Sequence, residues 1–303
     1  MSKKVENEFC QCLGSDNVYL QEDMSRHTTF RIGGPADYYL RPHSVEELRR
    51  ILHICKTEGL PFFILGNGSN LLVSDKGYRG VVIQLWKNMS DIEVDGDTIR
   101  AKSGALLSKI AAVALENGLA GFEFASGIPG TLGGAVVMNA GAYGGEMKDV
   151  LSEVTVMDTE GNVMVLERSE LKLGYRTSIV KEKGYIVLEA VLKLTRGEAS
   201  HISGLMEDYR ERRTSKQPLN MPSAGSTFKR PEGYFAGKLI MDSGLRGFSV
   251  GGAQISEKHC GFVVNTGEAT AEDVRNLISE VQRRVEEKFG VRLEPEVKFL
   301  GEF

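Results

Sequence analysis

The sequence has few of the residues that build metal centres or disulfide frameworks. It contains 4 cysteines and 5 histidines in 303 residues. Cys10 and Cys12 stand close together, but no matching pair exists elsewhere, so we expect reduced cysteines and no bound metal. This cysteine usage is typical of a cytoplasmic protein.

A strong charge imbalance and long apolar runs are also lacking. The formal net charge is −4, which argues against a nucleic acid as the main partner. No apolar run has the length of a membrane span, and the first residues, MSKKVENEFCQCLG, lack the apolar core of a signal peptide. We therefore expect a cytoplasmic protein with no membrane partner. The sequence leaves the oligomeric state open, and a monomer is our expectation.

Glycine, by contrast, is abundant, with 35 residues in the chain. Seven of them fall within residues 125–145, ASGIPGTLGGAVVMNAGAYGG. Glycine lets successive backbone N–H groups turn towards a ligand, and such a series forms an anion-binding nest. We interpret the stretch as backbone wrapped around a large, partly anionic ligand. The alternative is a set of tight turns at a domain junction.

A second glycine-rich loop, residues 66–70 (GNGSN), supports the ligand interpretation. It follows a short apolar strand predicted over 61–65. Leu71 stands where a dinucleotide fingerprint would have its third glycine, and the residues after the loop indicate a strand instead of a helix. The two loops together favour a diphosphate cofactor held by backbone amides, outside a Rossmann fold.

The remaining patterns predict a mixed α+β chain. Ser44 and Glu47 suggest a capping box before a helix, Ser103 suggests the cap of a helix over 105–117, and 270–273 suggest the cap of a long amphipathic helix. Hairpins are predicted around Asp95-Gly96 and around 159–162, and a last strand is predicted over 291–301. We divide the chain into an N-terminal helix and linker (1–24), a first domain (25–195, with lobes at about 25–90 and 91–195) and a second domain (200–303).

Three single residues are candidates for chemistry, each with an ordinary alternative. Ser226 lies among small residues beside two cations, or in a plain turn. Arg176 has the fork that binds a carboxylate or phosphate, or is a solvated surface arginine. Glu296 faces a cleft, or lies on the exposed face of an edge strand, for which Pro295 is typical.

Cations cluster around the end of a predicted helix and the loop after it. A local basic patch on an acidic chain fits a small anionic ligand better than a polyanion, and a solvated helix end is the alternative. The cluster comprises Arg210, Arg212, Arg213, Lys216, Lys229 and Arg230.

Seven segments resemble the UDP-N-acetylenolpyruvoylglucosamine reductase family, flavoenzymes of peptidoglycan precursor synthesis. They are TTFRIGGPADYYLRP (28–42), LGNGSNLLVSD (65–75), GFEFASGIPGTLGGAVVMNAGAYG (121–144), GYRTS (174–178), PSAGSTFKRP (222–231), AGKLIMDSGLRGFSVGGAQISEKHCGFVVN (236–265) and LEPEV (293–297). Only a short linker joins Leu194 to Ser200, so the chain resembles the shorter form of the enzyme, which lacks a tyrosine-bearing insert.

The resemblance implies a two-lobed FAD-binding domain of the vanillyl-alcohol-oxidase (PCMH) type with a smaller C-terminal α/β substrate domain. It implies FAD as cofactor, NADPH as reductant and a UDP-sugar as substrate. Ser226 is implied as proton donor, Arg176 and Glu296 as the pair at the substrate carboxylate. Further substrate contacts are expected from Lys216, Arg212, Tyr175, Lys229 and Arg230. Cofactor contacts are expected from Arg31, Gly66, Asn67, Gly68, Ser69, Asn70, Ser126, Gly127, Ile128, Pro129, Gly130, Thr131, Gly133, Gly134, Asn139, Gly141 and Ala142.

Two rival interpretations remain at this level. One is another flavin-dependent oxidase or dehydrogenase of the same fold. The other is a nucleotide-binding regulatory module without catalysis.

Overall fold

The computed structural model describes residues 2–303. Its helices are α1 (Lys3–Leu13), α2 (Val45–Thr57), α3 (Leu107–Glu116), α4 (Leu132–Val137), α5 (Met147–Val150), α6 (Ile179–Lys183), α7 (Ala199–Lys216), α8 (Ala236–Asp242) and α9 (Ala271–Phe289). Its strands up to the middle of the chain are β1 (Val18–Asp23), β2 (Pro35–Leu40), β3 (Phe62–Leu65), β4 (Leu71–Val73), β5 (Tyr78–Gln84), β6 (Ile92–Asp95), β7 (Thr98–Lys102), β8 (Leu119–Ala120), β9 (Gly141–Ala142) and β10 (Gly145–Glu146). The later strands are β11 (Leu151–Met157), β12 (Val163–Glu167), β13 (Ile186–Lys193), β14 (Thr195–Arg196), β15 (Ser223–Ser226), β16 (Ser249–Val250), β17 (Ala253–Ile255), β18 (Phe262–Asn265) and β19 (Lys298–Leu300).

Two compact units interleave along the chain. Unit 1 comprises 1–19, 38–67 and 80–213, and unit 2 comprises 20–37, 68–79 and 214–303. The division of the chain proposed above from the sequence (1–24, 25–195 and 200–303) stays a prediction. One difference within it is local: residues 18–23 form strand β1, where the sequence predicted a linker.

Unit 1 has two apolar cores. One is built on a five-stranded sheet with the order β12-β11-β13-β7-β6, whose hairpins turn at the predicted places. The other lies between α1, α2 and the parallel pair β3–β5, which belongs to a four-stranded sheet with the order β1-β2-β5-β3. Helix α2 begins at the predicted N-cap, because the Ser44 hydroxyl accepts a hydrogen bond from the Glu47 N–H at 3.1 Å. The second half of the predicted capping box is absent, since the Glu47 carboxylate accepts from the His43 N–H at 2.7 Å instead of from Ser44.

Unit 2 has one core, in which α8 and α9 pack with a four-stranded sheet of order β15-β18-β17-β16. The predicted capping box at Thr270 and Asp273 is formed, and α9 ends at Gly290 in the left-handed conformation. Strands β4 and β19 form a separate parallel pair.

Two element predictions need correction. Helix α3 begins at Leu107, and its N-cap is Leu106 with no side-chain cap, so Ser103 does not cap it. The last strand is only Lys298–Leu300. Before it, Leu293 and Val297 are buried as the alternation predicted, whereas Phe299 is exposed. Pro295 has no N–H for a ladder, which limits pairing over this part of the chain.

No helix within residues 2–303 has the length and apolar character needed to cross a membrane.

Candidate functional site

The first glycine loop presents a row of backbone donors. None of the N–H groups of residues 66–70 donates a hydrogen bond to another group within residues 2–303. Gly68 has a φ of +63°, and a Cβ there would lie 2.0 Å from the carbonyl oxygen of His27, so only glycine fits. Successive N–H groups without acceptors are what an anionic group requires.

The two glycine-rich segments meet within unit 1. The Asn67 side-chain amide donates to the carbonyl oxygen of Pro129 at 3.1 Å. A Cβ on Gly66 would lie 2.4 Å from Oγ1 of Thr131, so the backbone at Gly66 lies directly against the second segment. The structure therefore brings together Gly66 and Asn67 with the turn at 126–131, residues that the sequence predicted to bind one cofactor.

The composition of the second glycine-rich segment (125–145) suggested one continuous loop, but the structure divides it into several short elements. A 3₁₀ turn at Glu123–Ala125 leads to the turn at 126–131, then to α4, then to the hairpin β9–β10. A Cβ on Gly145 would lie 2.7 Å from the Phe124 ring, and one on Gly141 would lie 2.6 Å from the Gly145 carbonyl oxygen. Packing alone thus requires the two hairpin glycines, and contact of Gly141 and Ala142 with a cofactor stays a prediction.

Arg213 is a residue that the sequence had placed in the basic cluster but not at the cofactor. A Cβ on Gly127, in the turn at 126–131, would lie 3.3 Å from both Cδ and a guanidinium nitrogen of Arg213. Burial lowers the pKa of this guanidinium from its ordinary value, and it has no carboxylate or hydrogen-bond partner within residues 2–303. The pattern of apolar residues along the predicted helix did not indicate which of Arg212 and Arg213 faces the turn at 126–131.

Ser103, predicted as a helix cap, instead lies under the second segment. Its carbonyl oxygen accepts from the Gly133 N–H at 2.8 Å. Its hydroxyl is buried and has no partner among the residues that the structure describes.

Asn139 was predicted to contact the cofactor, yet its side chain is fully occupied by protein. Nδ2 donates to the Glu146 carboxylate and to the Gly174 carbonyl oxygen, and Oδ1 accepts from the Lys148 N–H. The residue is 1% exposed, so no amide hydrogen remains for a ligand.

Ser226 ends strand β15 in unit 2 and is exposed. The pairing of β15 with β18 is irregular between Ser223 and Ser226, and Gly225 has a φ of +76°. A bulge of this kind changes the direction of the following side chain, and here the residue after it, Thr227, is fully buried while Ser226 is not.

Glu296 lies on the segment next to Ser226. The Glu296 N–H donates to the Thr227 carbonyl oxygen at 2.8 Å, and Phe228 pairs with Pro295. The Glu296 carbonyl oxygen accepts from the Asn70 side chain at 3.2 Å, so this segment is also tied to the end of the first glycine loop. The fold thus brings two of the three predicted catalytic residues onto neighbouring backbone segments.

Arg176 belongs to unit 1, in a tight turn between Gly174 and Thr177. Its φ is +57°, which is unusual for a residue with a side chain. Its guanidinium lies over the exposed Tyr175 ring, 5.1 Å from the centroid.

The predicted substrate cations differ in their surroundings. Lys216 is exposed at the end of α7, while Arg212 pairs with Asp208 at 2.8 Å and Lys229 pairs with Glu294 at 2.7 Å. Arg230 lies over the Phe235 ring, 4.0 Å from its centroid. Arg31, predicted at the cofactor, is exposed in unit 2 with a φ of +56°.

Comparison with known proteins covers the whole chain. Residues 36–167 match the model of the FAD binding domain, and residues 217–300 match that of the UDP-N-acetylenolpyruvoylglucosamine reductase C-terminal domain. A curated UDP-N-acetylenolpyruvoylglucosamine reductase from Caldanaerobacter subterraneus subsp. tengcongensis is 55% identical over 302 residues, 100% of both chains. That of Clostridioides difficile is 54% identical over 290 residues, covering 96% of this chain and 95% of the relative.

Solved structures agree with these matches. The crystal structure of UDP-N-acetylenolpyruvylglucosamine reductase (MurB) from Thermus caldophilus superposes with a TM-score of 0.80 at 37% identity, covering 94% of this chain and 98% of that one. p-Cresol methylhydroxylase, at 17% identity and a TM-score of 0.50, covers 96% of this chain and 65% of its own and shares the fold. The predicted fold class, a PCMH-type FAD-binding domain with a C-terminal substrate domain, is confirmed. The chain belongs to the family of UDP-N-acetylenolpyruvoylglucosamine reductases.

Proposed function

We propose that Arg176, Ser226 and Glu296 carry out the substrate half of the reaction of this family. In that reaction NADPH is the reductant, FAD is the cofactor, and the enolpyruvyl ether of a UDP-sugar is reduced to UDP-N-acetylmuramate for peptidoglycan. The chain contains the two parts that this reaction uses, since residues 36–167 match an FAD binding domain and residues 217–300 match the reductase C-terminal domain.

The residues present fit a diphosphate cofactor. The N–H groups of residues 66–70 have no acceptors within residues 2–303, and a Cβ at Gly66 or Gly68 would lie 2.4 or 2.0 Å from a protein oxygen, so the loop can follow this course only with glycine. Arg213 is a half-buried cation without an anionic partner within residues 2–303 and lies against the turn at 126–131. We assign the diphosphate of FAD to these N–H groups and to Arg213, because buried charge requires a counter-charge.

Arg176 and Glu296 act on the substrate carboxylate. When bound, FAD supplies the hydride chemistry, between NADPH and the β-carbon of the enolpyruvyl group. Negative charge then develops on the α-carbon and spreads into the carboxylate. The Arg176 fork stabilises that charge, and a protonated Glu296 donates a hydrogen bond to it.

Ser226 completes the reaction by donating a proton to the α-carbon. The observation that carries this proposal is the exposed Ser226 beside the Glu296 segment, at the irregular end of β15, where the next residue, Thr227, is buried. Lys216 binds the diphosphate of the UDP-sugar. We further propose that the protein acts as a monomer in the cytoplasm, where NADPH and UDP-sugars are made.

The test separates the two half-reactions by anaerobic stopped-flow absorbance of the flavin. Ser226→Ala should be reduced by NADPH at the normal rate but be reoxidised by the UDP-enolpyruvyl sugar about 10² times more slowly or worse. Ser249→Ala is the matched control, because Ser249 is an exposed serine on the same sheet whose hydroxyl bonds only the Gly247 carbonyl oxygen. Normal reoxidation of Ser226→Ala would show that this hydroxyl is not the acid.

A further inference from the structure

The turn that carries Arg176 is closed on itself and strained. Gly174 and Thr177 exchange backbone hydrogen bonds of 3.1 and 3.3 Å, which leaves two residues at the tip. Arg176 has a φ of +57°, in the left-handed region that residues with a side chain enter only when their surroundings hold them there.

Asn139 holds the first end of this turn. Its side-chain amide donates to the Gly174 carbonyl oxygen at 3.1 Å, across 35 residues of chain. Its second amide hydrogen goes to the Glu146 carboxylate, and Oδ1 accepts from the Lys148 N–H at 2.9 Å. These partners fix the orientation of the amide completely, so that its N–H is aimed at Gly174 before any substrate binds.

Ser178 holds the second end. It is fully buried, and its hydroxyl donates to the Val137 carbonyl oxygen at 2.7 Å. It also accepts from the Lys181 N–H as the N-cap of α6, and the Lys181 ammonium group donates to the Arg176 carbonyl oxygen at 3.2 Å. Both ends of the turn are thus attached to the last residues of α4 and those just after it.

We propose that Asn139 is a positioning residue for Arg176 and not a ligand of the cofactor. This inference rests on the proposed role of Arg176 at the substrate carboxylate. A guanidinium stabilises developing charge only if it is already oriented when the charge forms, and a displacement of about 1 Å can cost a factor of 10². With Asn139 removed, the turn loses the hydrogen bond at Gly174 and Arg176 can relax from its left-handed conformation.

Asn139→Gly is the most informative variant. Asn139 itself has a φ of +44°, which glycine adopts freely, so the change removes three side-chain hydrogen bonds without adding backbone strain. Asn88→Ala is the matched control, because it removes one amide hydrogen bond, to the Arg41 carbonyl oxygen at 3.1 Å, elsewhere in unit 1. Ser178→Ala tests the other end of the turn and serves if Asn139→Gly does not fold.

The expected result is a split between the two half-reactions. Asn139→Gly should bind FAD and be reduced by NADPH as the Asn88→Ala control is. Its reoxidation by the UDP-enolpyruvyl sugar should be about 10- to 100-fold slower. In the double variant with Arg176→Ala, the loss should be no greater than with Arg176→Ala alone, because Asn139 acts through that arginine.

Two outcomes would overturn the inference. Weakened FAD binding or slow reduction by NADPH in Asn139→Gly would place Asn139 at the cofactor, as the sequence suggested. Reoxidation at the control rate, while Arg176→Ala is slow, would reject positioning and leave the proposed function intact. Normal reoxidation of Arg176→Ala itself would instead reject the proposed role of Arg176, so the two failures are distinguishable.

Discussion

In the proposed mechanism, the role of Glu296 depends on whether its carboxyl group is protonated. The substrate brings its own carboxylate, which becomes richer in electrons as hydride is added. An ionised glutamate beside it would be repelled at that moment, so we expect the protonated acid, acting as a donor, as occurs in other enzymes. The backbone of Glu296 is held from both sides, by Thr227 and by Asn70, which fixes the start of its side chain.

Replacing Glu296 by glutamine or alanine tests this role. Glutamine keeps a donor, so Glu296→Gln should retain more of the second half-reaction than Glu296→Ala. One donor of this kind is worth a factor of about 10² to 10³. The measurement is the rate of flavin reoxidation at saturating substrate. Equally slow reoxidation in the two variants would mean that a donor role is not enough and that Glu296 acts as an ionised group or a proton shuttle.

His259 makes the stability of unit 2 depend on pH. Burial lowers the pKa of His259 from its ordinary 6.5, and the charge of Lys216 lowers it further. Its Nδ1 accepts from the Gly261 N–H at 3.1 Å, which requires the neutral ring. As the pH falls below about 6.5, the unfolded chain takes up a proton that the folded chain resists, so this group destabilises the fold in acid.

His259→Asn should remove this dependence, because asparagine offers an acceptor in a similar position but does not titrate. Between pH 7.5 and 5.5 the wild-type protein should lose more thermal stability than the variant. Melting curves of both proteins at the two pH values provide the comparison. Parallel losses in the two proteins would show that His259 is not the titrating group.

At the scale of elements, helix α9 shows how a single N-terminus connects distant parts of the sequence. The Asp75 carboxylate accepts from the Ala271 N–H at 2.8 Å and from the Glu272 N–H at 3.0 Å, and Thr270 Oγ1 accepts from the Asp273 N–H at 3.0 Å. The Thr270 N–H also donates to the Asp273 carboxylate at 3.0 Å, so all four amides that the helix leaves unpaired at this end are satisfied. Asp75 lies just after β4 and 196 residues before Ala271, so these hydrogen bonds also attach the end of β4 to the N-terminus of α9 within unit 2.

Removing these caps should destabilise the protein without changing the flavin chemistry. We expect Thr270→Ala to lower the free energy of unfolding by about 1 kcal/mol. Asp75→Ala should cost more, because two charge-assisted hydrogen bonds are lost. Urea unfolding at pH 7 measures both, with Ser279→Ala, an exposed residue on the same helix, as the control. A smaller loss for Asp75→Ala than for Thr270→Ala would contradict the assignment.

At the scale of the whole molecule, ligand binding adds to folding stability by mass action. FAD at 100 times its dissociation constant should stabilise the protein by about 2.7 kcal/mol, which raises the melting temperature by several degrees. FMN lacks the diphosphate bridge, so its effect should be much smaller at equal concentration.

Arg213→Met should reduce the FAD shift, since one charge-assisted hydrogen bond is worth about 1.5–3 kcal/mol and its loss weakens binding about tenfold or more. Arg210→Met, an exposed arginine on the same helix that pairs with Glu207, is the control. Titration of the apoprotein with FAD, followed by the quenching of flavin fluorescence, gives the affinity directly. Equal affinities in the two variants would exclude Arg213 from the cofactor site.

The sequence by itself determined the features that depend on one element at a time. The period of apolar residues and the capping side chains located α2 and α9, and Asp95-Gly96 located a hairpin. The same applies to the motifs that carry the family, because a loop such as GNGSN needs glycine where a Cβ would lie 2.0 Å from the carbonyl oxygen of another residue. These signals come from residues that are close together in the sequence, so they can be recognised without knowing which other elements pack against them.

Only the tertiary structure decided which residues that are distant in the sequence contact each other. Asn139 donates a hydrogen bond to Gly174 at the start of the Arg176 turn, Arg213 instead of Arg212 faces Gly127, and Ser103 is buried instead of capping a helix. Each depends on a contact across 30 or more residues of chain, counted from 103–133, 127–213 and 139–174. No period or propensity encodes such contacts, because they form when separate elements pack and the cost of closing the intervening chain is met by burial elsewhere.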